Sequence, residues 1–134
     1  MKINIKKLTD LRNGYKHNKT KMKNILIVDD IEINIEILRQ FLHDDYNCIV
    51  AYNGLESITK FKENEIDLVL MDIMMPIMGG IEACQKIKEI RQVPIFAVTA
   101  HSYSEQELLN KGFDQVVKKP ICFLELKNKI KKIL

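Results

Sequence analysis

Cysteine pairs, glycine-rich phosphate loops and long apolar runs are all missing from this chain of 134 residues. The three cysteines, Cys48, Cys84 and Cys122, form no CxxC pair and sit in apolar stretches, so they are expected to be reduced core residues. His17, His43 and His101 share no metal-ligand spacing with one another or with the cysteines, which argues against zinc. No GxxxxGK[ST] loop and no GxGxxG turn is present, so a nucleotide would lack its phosphate cradle. No apolar run approaches the ~20 residues of a membrane-spanning helix. The opening MKINIKKLTD has neither the apolar core nor the small-residue cleavage site of a signal peptide, and cytoplasm is the expected location. No internal repeat or low-complexity tract stands out.

What is there is an ordinary globular composition: 46% hydrophobic and 29% charged residues, in a length that suits one domain with its own core. The net charge of +3 is uneven. Residues 1–21 hold seven Lys/Arg against one acid, Asp10, leaving 14 of the 21 basic and 17 of the 18 acidic groups for the rest. A basic arm on a mildly acidic domain raises nucleic-acid binding as a reading. The arm has Tyr15 as its only aromatic and no strong helical period, so a solvated linker is expected and direct nucleic-acid binding is not. The division is therefore 1–22 as arm or linker and 23–134 as the folded domain.

From Lys23 onward, apolar runs alternate with helical patterns. NILIV (24–28), CIVAY (48–52), DLVLM (67–71), PIFAV (94–98) and Gln115–Lys118 read as strands. Helical spacing appears over Ile31–Leu42, over 55–64, from Ile81, after Ser104 and over Phe123–Leu134. Ser104 and Glu107 have capping-box spacing, and Gly112 marks the end of that short helix. Strand–helix units of this length force parallel pairing through right-handed crossovers. Strands that are continuously apolar need helices on both faces. The expected fold is a doubly wound, five-stranded parallel α/β sheet flanked by five helices.

Ligands of such sheets bind beyond the carboxyl ends of the strands, where strand order reverses. The residues expected just past those ends are Asp29-Asp30, Tyr52-Asn53, Asp72, Thr99 and Lys119. Three carboxylates close together repel one another unless a cation intervenes. A hard divalent ion with oxygen ligands, Mg²⁺ above all, suits that donor set together with phosphate. A carboxylate can attack phosphorus directly, and such transfer rests on positioning and charge neutralisation. Asp29-Asp30 as a simple helix cap is the plainer alternative.

The stretches ILIVDD (25–30), LVLMDIMMPIMGG (68–80), FAVTAH (96–101) and VVKKP (116–120) resemble the receiver domains of two-component response regulators. The resemblance covers residues 23–134 and is closest to receivers carried on hybrid sensor kinases. It implies a flavodoxin-like sheet of order 2-1-3-4-5 and transfer of a phosphoryl group from phosphohistidine to Asp72. It also implies that Asp30, Asp72 and the backbone carbonyl of Met74 hold Mg²⁺, with Asp29 assisting. Thr99 would be the switch hydroxyl, and Lys119, before a cis Pro120, would contact the phosphoryl group. The partner would be a histidine kinase or a histidine phosphotransfer protein, docking through the helix over Glu32–Phe41. No kinase catalytic domain is expected in this chain.

One position departs from the family: Val116 stands where an aromatic often couples to the switch, so the switch is expected either to use another residue such as Tyr103 or to be muted. Met74 and His101 occupy the positions expected to affect water access to the acyl phosphate. Three other readings compete. A degenerate receiver would serve only as a protein-binding module, which the filled acidic, hydroxyl and lysine positions disfavour. An aspartate-nucleophile phosphatase would want a DxD pattern, but Ile73 and Met74 follow Asp72. Soft-metal binding by Met71, Met74, Met75 and Met78 is less apt than flexible packing.

Overall fold

The computed structural model describes residues 22–100 and 103–134. Five strands and five helices alternate along it. They are β1 (Asn24–Val28), α1 (Glu32–Leu42), β2 (Asn47–Ala51), α2 (Gly54–Glu63), β3 (Leu68–Asp72), α3 (Gly80–Ile90), β4 (Ile95–Thr99), α4 (Glu105–Asn110), β5 (Gln115–Lys118) and α5 (Phe123–Ile133). All strands pair in parallel, in the order β2-β1-β3-β4-β5. The expected doubly wound sheet is the one observed.

The sheet divides the core in two, because successive side chains on a strand point to opposite faces. On one face Ile25, Ile27, Leu68, Leu70, Phe96, Val98 and Val117 meet α1 and α5 through Ile35, Leu38, Leu42, Leu126 and Ile130. On the other, Leu26, Val28, Val69, Met71, Ile95, Ala97 and Val116 meet α2, α3 and α4 through Phe61, Ala83, Cys84, Ile87 and Leu108. A continuously apolar strand is therefore two alternating strands superposed, each half serving its own layer.

Local chemistry sets the helix starts. Asn53 accepts the Glu56 N–H at the head of α2 (2.8 Å). Ser104 and Glu107 close the expected capping box of α4, with Gly112 in the left-handed region (φ 111°) just beyond. In the loop after β3, Ile77 also has positive φ (72°) while its side chain is mostly exposed.

Three strands are displaced by one residue at both ends relative to the apolar pattern. β2 begins at Asn47, while β3 and β4 run on to Asp72 and Thr99. Asp72 pairs with Val98, and Thr99 with Lys118, so the ladder carries these two polar residues inside the sheet. The cysteines need a larger correction. Cys84 is buried and its thiol is pushed up to about 11 by burial. Cys48 is only half-buried, and Cys122 is exposed at the N-cap of α5. The apolar neighbours Ile121 and Phe123 gave Cys122 the look of a core residue, but it lies on a loop.

Candidate functional site

β1 and β3 are central strands in matched register, with Val28 opposite Met71. One residue further, Asp29 and Asp72 stand side by side at the carboxyl edge. On its other side Asp29 is tied to β2, its N–H donating to the Ala51 carbonyl (3.2 Å). Along the strands Asp29 and Asp72 follow the alternation of Ile25, Ile27 and of Leu68, Leu70, the residues that face α1 and α5. Lys119 follows Val117 in the same way. Thr99 follows Ile95 and Ala97, which belong to the opposite layer.

Asp29, Asp72 and Thr99 are three of the four buried polar or charged residues among those described, at 3%, 8% and 1% exposure. Asp30 is exposed. One carboxylate oxygen from each of Asp29, Asp30 and Asp72 lies within 4.8 Å of the other two. Three hard oxygen donors so close together could hold a divalent cation, and their spacing asks for one.

The only ammonium against the buried acids among the described ion pairs is that of Lys119. Its Nζ lies 3.2 Å from Asp29 Oδ2 and 3.9 Å from Asp72 Oδ2. Burial pushes the Asp72 carboxyl above its ordinary value, and the Asp29 charge pushes it further the same way. Lys119 and the Ile73 N–H, which donates to Asp72 Oδ1 (2.8 Å), pull it down, and the Asp30 charge adds a smaller upward push. One positive charge thus answers three negative ones, and the net push on the Asp72 carboxyl is upward.

Asp29 is held firmly. Its Oδ1 accepts the Ile31 N–H (2.9 Å), and its Oδ2 accepts the Asn34 side-chain amide (3.2 Å) as well as Lys119. The N-cap of α1 is Ile31, without a side-chain cap, so the plain helix-cap role does not describe Asp29. Asn34 was not among the expected site residues. The available signal was its spacing, five residues past Asp29 on the first turn of the following helix.

Lys119 is positioned from behind: its N–H donates to the Thr99 carbonyl (2.9 Å), and its bond to Pro120 is cis, as expected. Met74 sits two residues past Asp72 in the β3–α3 loop with an exposed side chain. Val116 is buried in the layer against which Tyr103 packs. Tyr52 and Asn53 reach the same edge, but Asn53 is occupied as the α2 cap. The basic arm and His101 lie outside the described residues.

The profile of the response regulator receiver domain family matches residues 25–131. The autoinducer 1 sensor kinase/phosphatase LuxN of Vibrio campbellii is 37% identical over 107 residues, covering 78% of this chain and 13% of that protein. Among solved structures, the response regulator TrrA of Thermotoga maritima, in complex with Mg²⁺-BeF, superposes with a TM-score of 0.78. It is 37% identical, covering 84% of this chain and all of TrrA. The Saccharomyces cerevisiae complex of the histidine phosphotransfer protein Ypd1 with the receiver domain of Ssk1 contains a match at TM-score 0.76. That match is 31% identical and covers 83% of this chain and 88% of the other. The chain thus spans a small fraction of LuxN and the whole of TrrA.

Proposed function

The chain belongs to the response regulator receiver domain family, and from that membership we propose that Asp72 accepts a phosphoryl group from phosphohistidine. The observation that carries this reading is the pair of buried carboxylates, Asp29 and Asp72, sharing one lysine at the carboxyl edge of the sheet.

An ionised Asp72 oxygen attacks phosphorus; the phosphorus–nitrogen bond breaks and its electron pair leaves with the imidazole. The attacking carboxylate needs no general base, so the protein's task is to position it and to neutralise charge. Lys119 already sits between the two acids and pairs with a phosphoryl oxygen. Thr99 offers its hydroxyl from the neighbouring strand. Asp29, Asp30 and Asp72, with the backbone carbonyl of Met74, would hold Mg²⁺. When bound, the ion offsets the clustered negative charge and lowers the Asp72 pKa toward ionisation.

The donor is a histidine kinase or a histidine phosphotransfer protein that docks over this edge. Ile33 and Ile37, one turn apart at 63% and 46% exposure, give α1 an apolar face, with Ile31 (50%) at its N-cap next to Asp30. Among the described residues no helix is long and apolar enough to cross a membrane.

The test is incorporation of label from a phosphorylated histidine phosphotransfer domain in Mg²⁺. The parent chain should take up label as an acyl phosphate that hydroxylamine releases. Asp72→Asn should take up none above background; labelling of that variant would remove Asp72 from the role.

A further inference from the structure

We propose that Asn34 is a positioning residue for phosphoryl acceptance: its amide keeps the buried Asp29 carboxylate bonded as the Lys119 ammonium moves toward Asp72. The inference rests on the phosphoacceptor reading of Asp72.

Asp29 Oδ2 has two donors, the Asn34 amide and the Lys119 ammonium, each at 3.2 Å. A carboxylate only accepts, so the Asn34 side chain must present its nitrogen. Lys119 is nearer Asp29 than Asp72, at 3.2 Å against 3.9 Å. Any movement of the ammonium onto a phosphoryl group at Asp72 lengthens the Asp29 bond. At 3% exposure Asp29 has little access to water to replace it. A buried carboxylate oxygen that loses its partner opposes the movement that strips it. Asn34 removes that opposition, because its donor belongs to α1 and stays where it is. The neutral amide is well suited to this: a second fixed cation would compete with Lys119 for the phosphoryl oxygens.

The bland account of Asn34, a polar residue in a helical first turn, predicts no effect on the site. It also predicts that alanine, the better helix former, is harmless. The two accounts separate on the contrast between two ligands of the full chain. Asn34→Ala should bind beryllofluoride, at saturating Mg²⁺, roughly tenfold more weakly than the parent, the lower end for removing a group that orients a site ligand. Its affinity for Mg²⁺ alone should fall by less, since Asn34 also orients Asp29 for the ion but Lys119 need not move. Asn34→Leu, close in volume and without the donor, should behave the same way. Calorimetric titration measures both affinities, and thermal melts establish that the variants fold. An equal loss of both affinities, or a loss of neither, overturns the proposal. If the parent chain itself binds no beryllofluoride, the phosphoacceptor reading falls and takes this inference with it. If the parent binds and the variants bind equally well, only the role of Asn34 falls.

Discussion

The two ends of the sheet use the same residue types in opposite ways. At the amino edge, Asp114 accepts the Ile95 N–H (2.8 Å) and pairs with Lys88 at 2.6 Å, one lysine to one acid. Asp67 there accepts the Asn24 N–H (2.8 Å), and Asn24 in turn bonds the Glu65 carbonyl and the Asn47 amide. Each group closes a strand start that would otherwise be left open. At the carboxyl edge, one lysine at 3.2 and 3.9 Å serves two buried acids with a third beside them. In the first arrangement each acid closes a strand start; the second carries surplus negative charge. Parallel strands bring every start to one edge and every finish to the other, so stability and reactivity can be specified at separate ends of one sheet.

The most damaging way to break this division is Gly80→Ala. A Cβ on Gly80 would fall inside contact distance of the Asp72 carbonyl oxygen, where backbone cannot yield cheaply. Urea unfolding should show a loss of about 3 kcal/mol, with Mg²⁺ affinity falling as Asp72 is displaced. Asp114→Ala should come next. It leaves the Ile95 N–H and the mostly buried Lys88 ammonium without their acid, a loss of about 2 kcal/mol. Mg²⁺ affinity should not change, because the damage is confined to the amino edge.

Asp72→Asn should have the smallest effect on stability and the opposite sign. Burial raises the Asp72 carboxyl above 3.8, so the folded protein holds this proton more tightly than the unfolded chain does. Stability from this group is therefore full below about 3.8 and is lost as the pH rises through the folded value. The substituted amide cannot ionise, so thermal melts of Asp72→Asn at neutral pH should rise by several degrees in the absence of divalent ions. The advantage should vanish toward pH 3.8. A variant less stable than the parent at neutral pH would mean that the carboxyl edge carries no surplus charge.

Much of the fold was legible because hydrophobic pattern and topology agree. The bounds of β1 and β5 coincide with their apolar runs, and the capping-box spacing at Ser104 marks the start of α4. Pattern reading stopped one residue short on β3 and β4 because it follows apolarity, whereas the ladder follows backbone pairing. At Asp72 and Thr99 these part company. Cys122 misled for the converse reason, an apolar neighbourhood on a loop. The positions of Asp29, Asp30, Asp72, Thr99 and Lys119 at one edge followed from topology alone. The sharing of Lys119 and the amide of Asn34 did not, because a side-chain bond from helix to strand end leaves no period in the sequence.

The overrun of β3 by one residue also bears on the entropy of reaction. A nucleophile on a free loop would have to give up orientational freedom each time it reacts, which raises the barrier. Asp72 sits instead on the last rung of a strand flanked by β1 and β4, with its own carboxylate tied to the next backbone N–H. Its freedom is surrendered when the sheet closes during folding. On the proposed function, an incoming phosphoryl group would meet an oxygen whose search is already over.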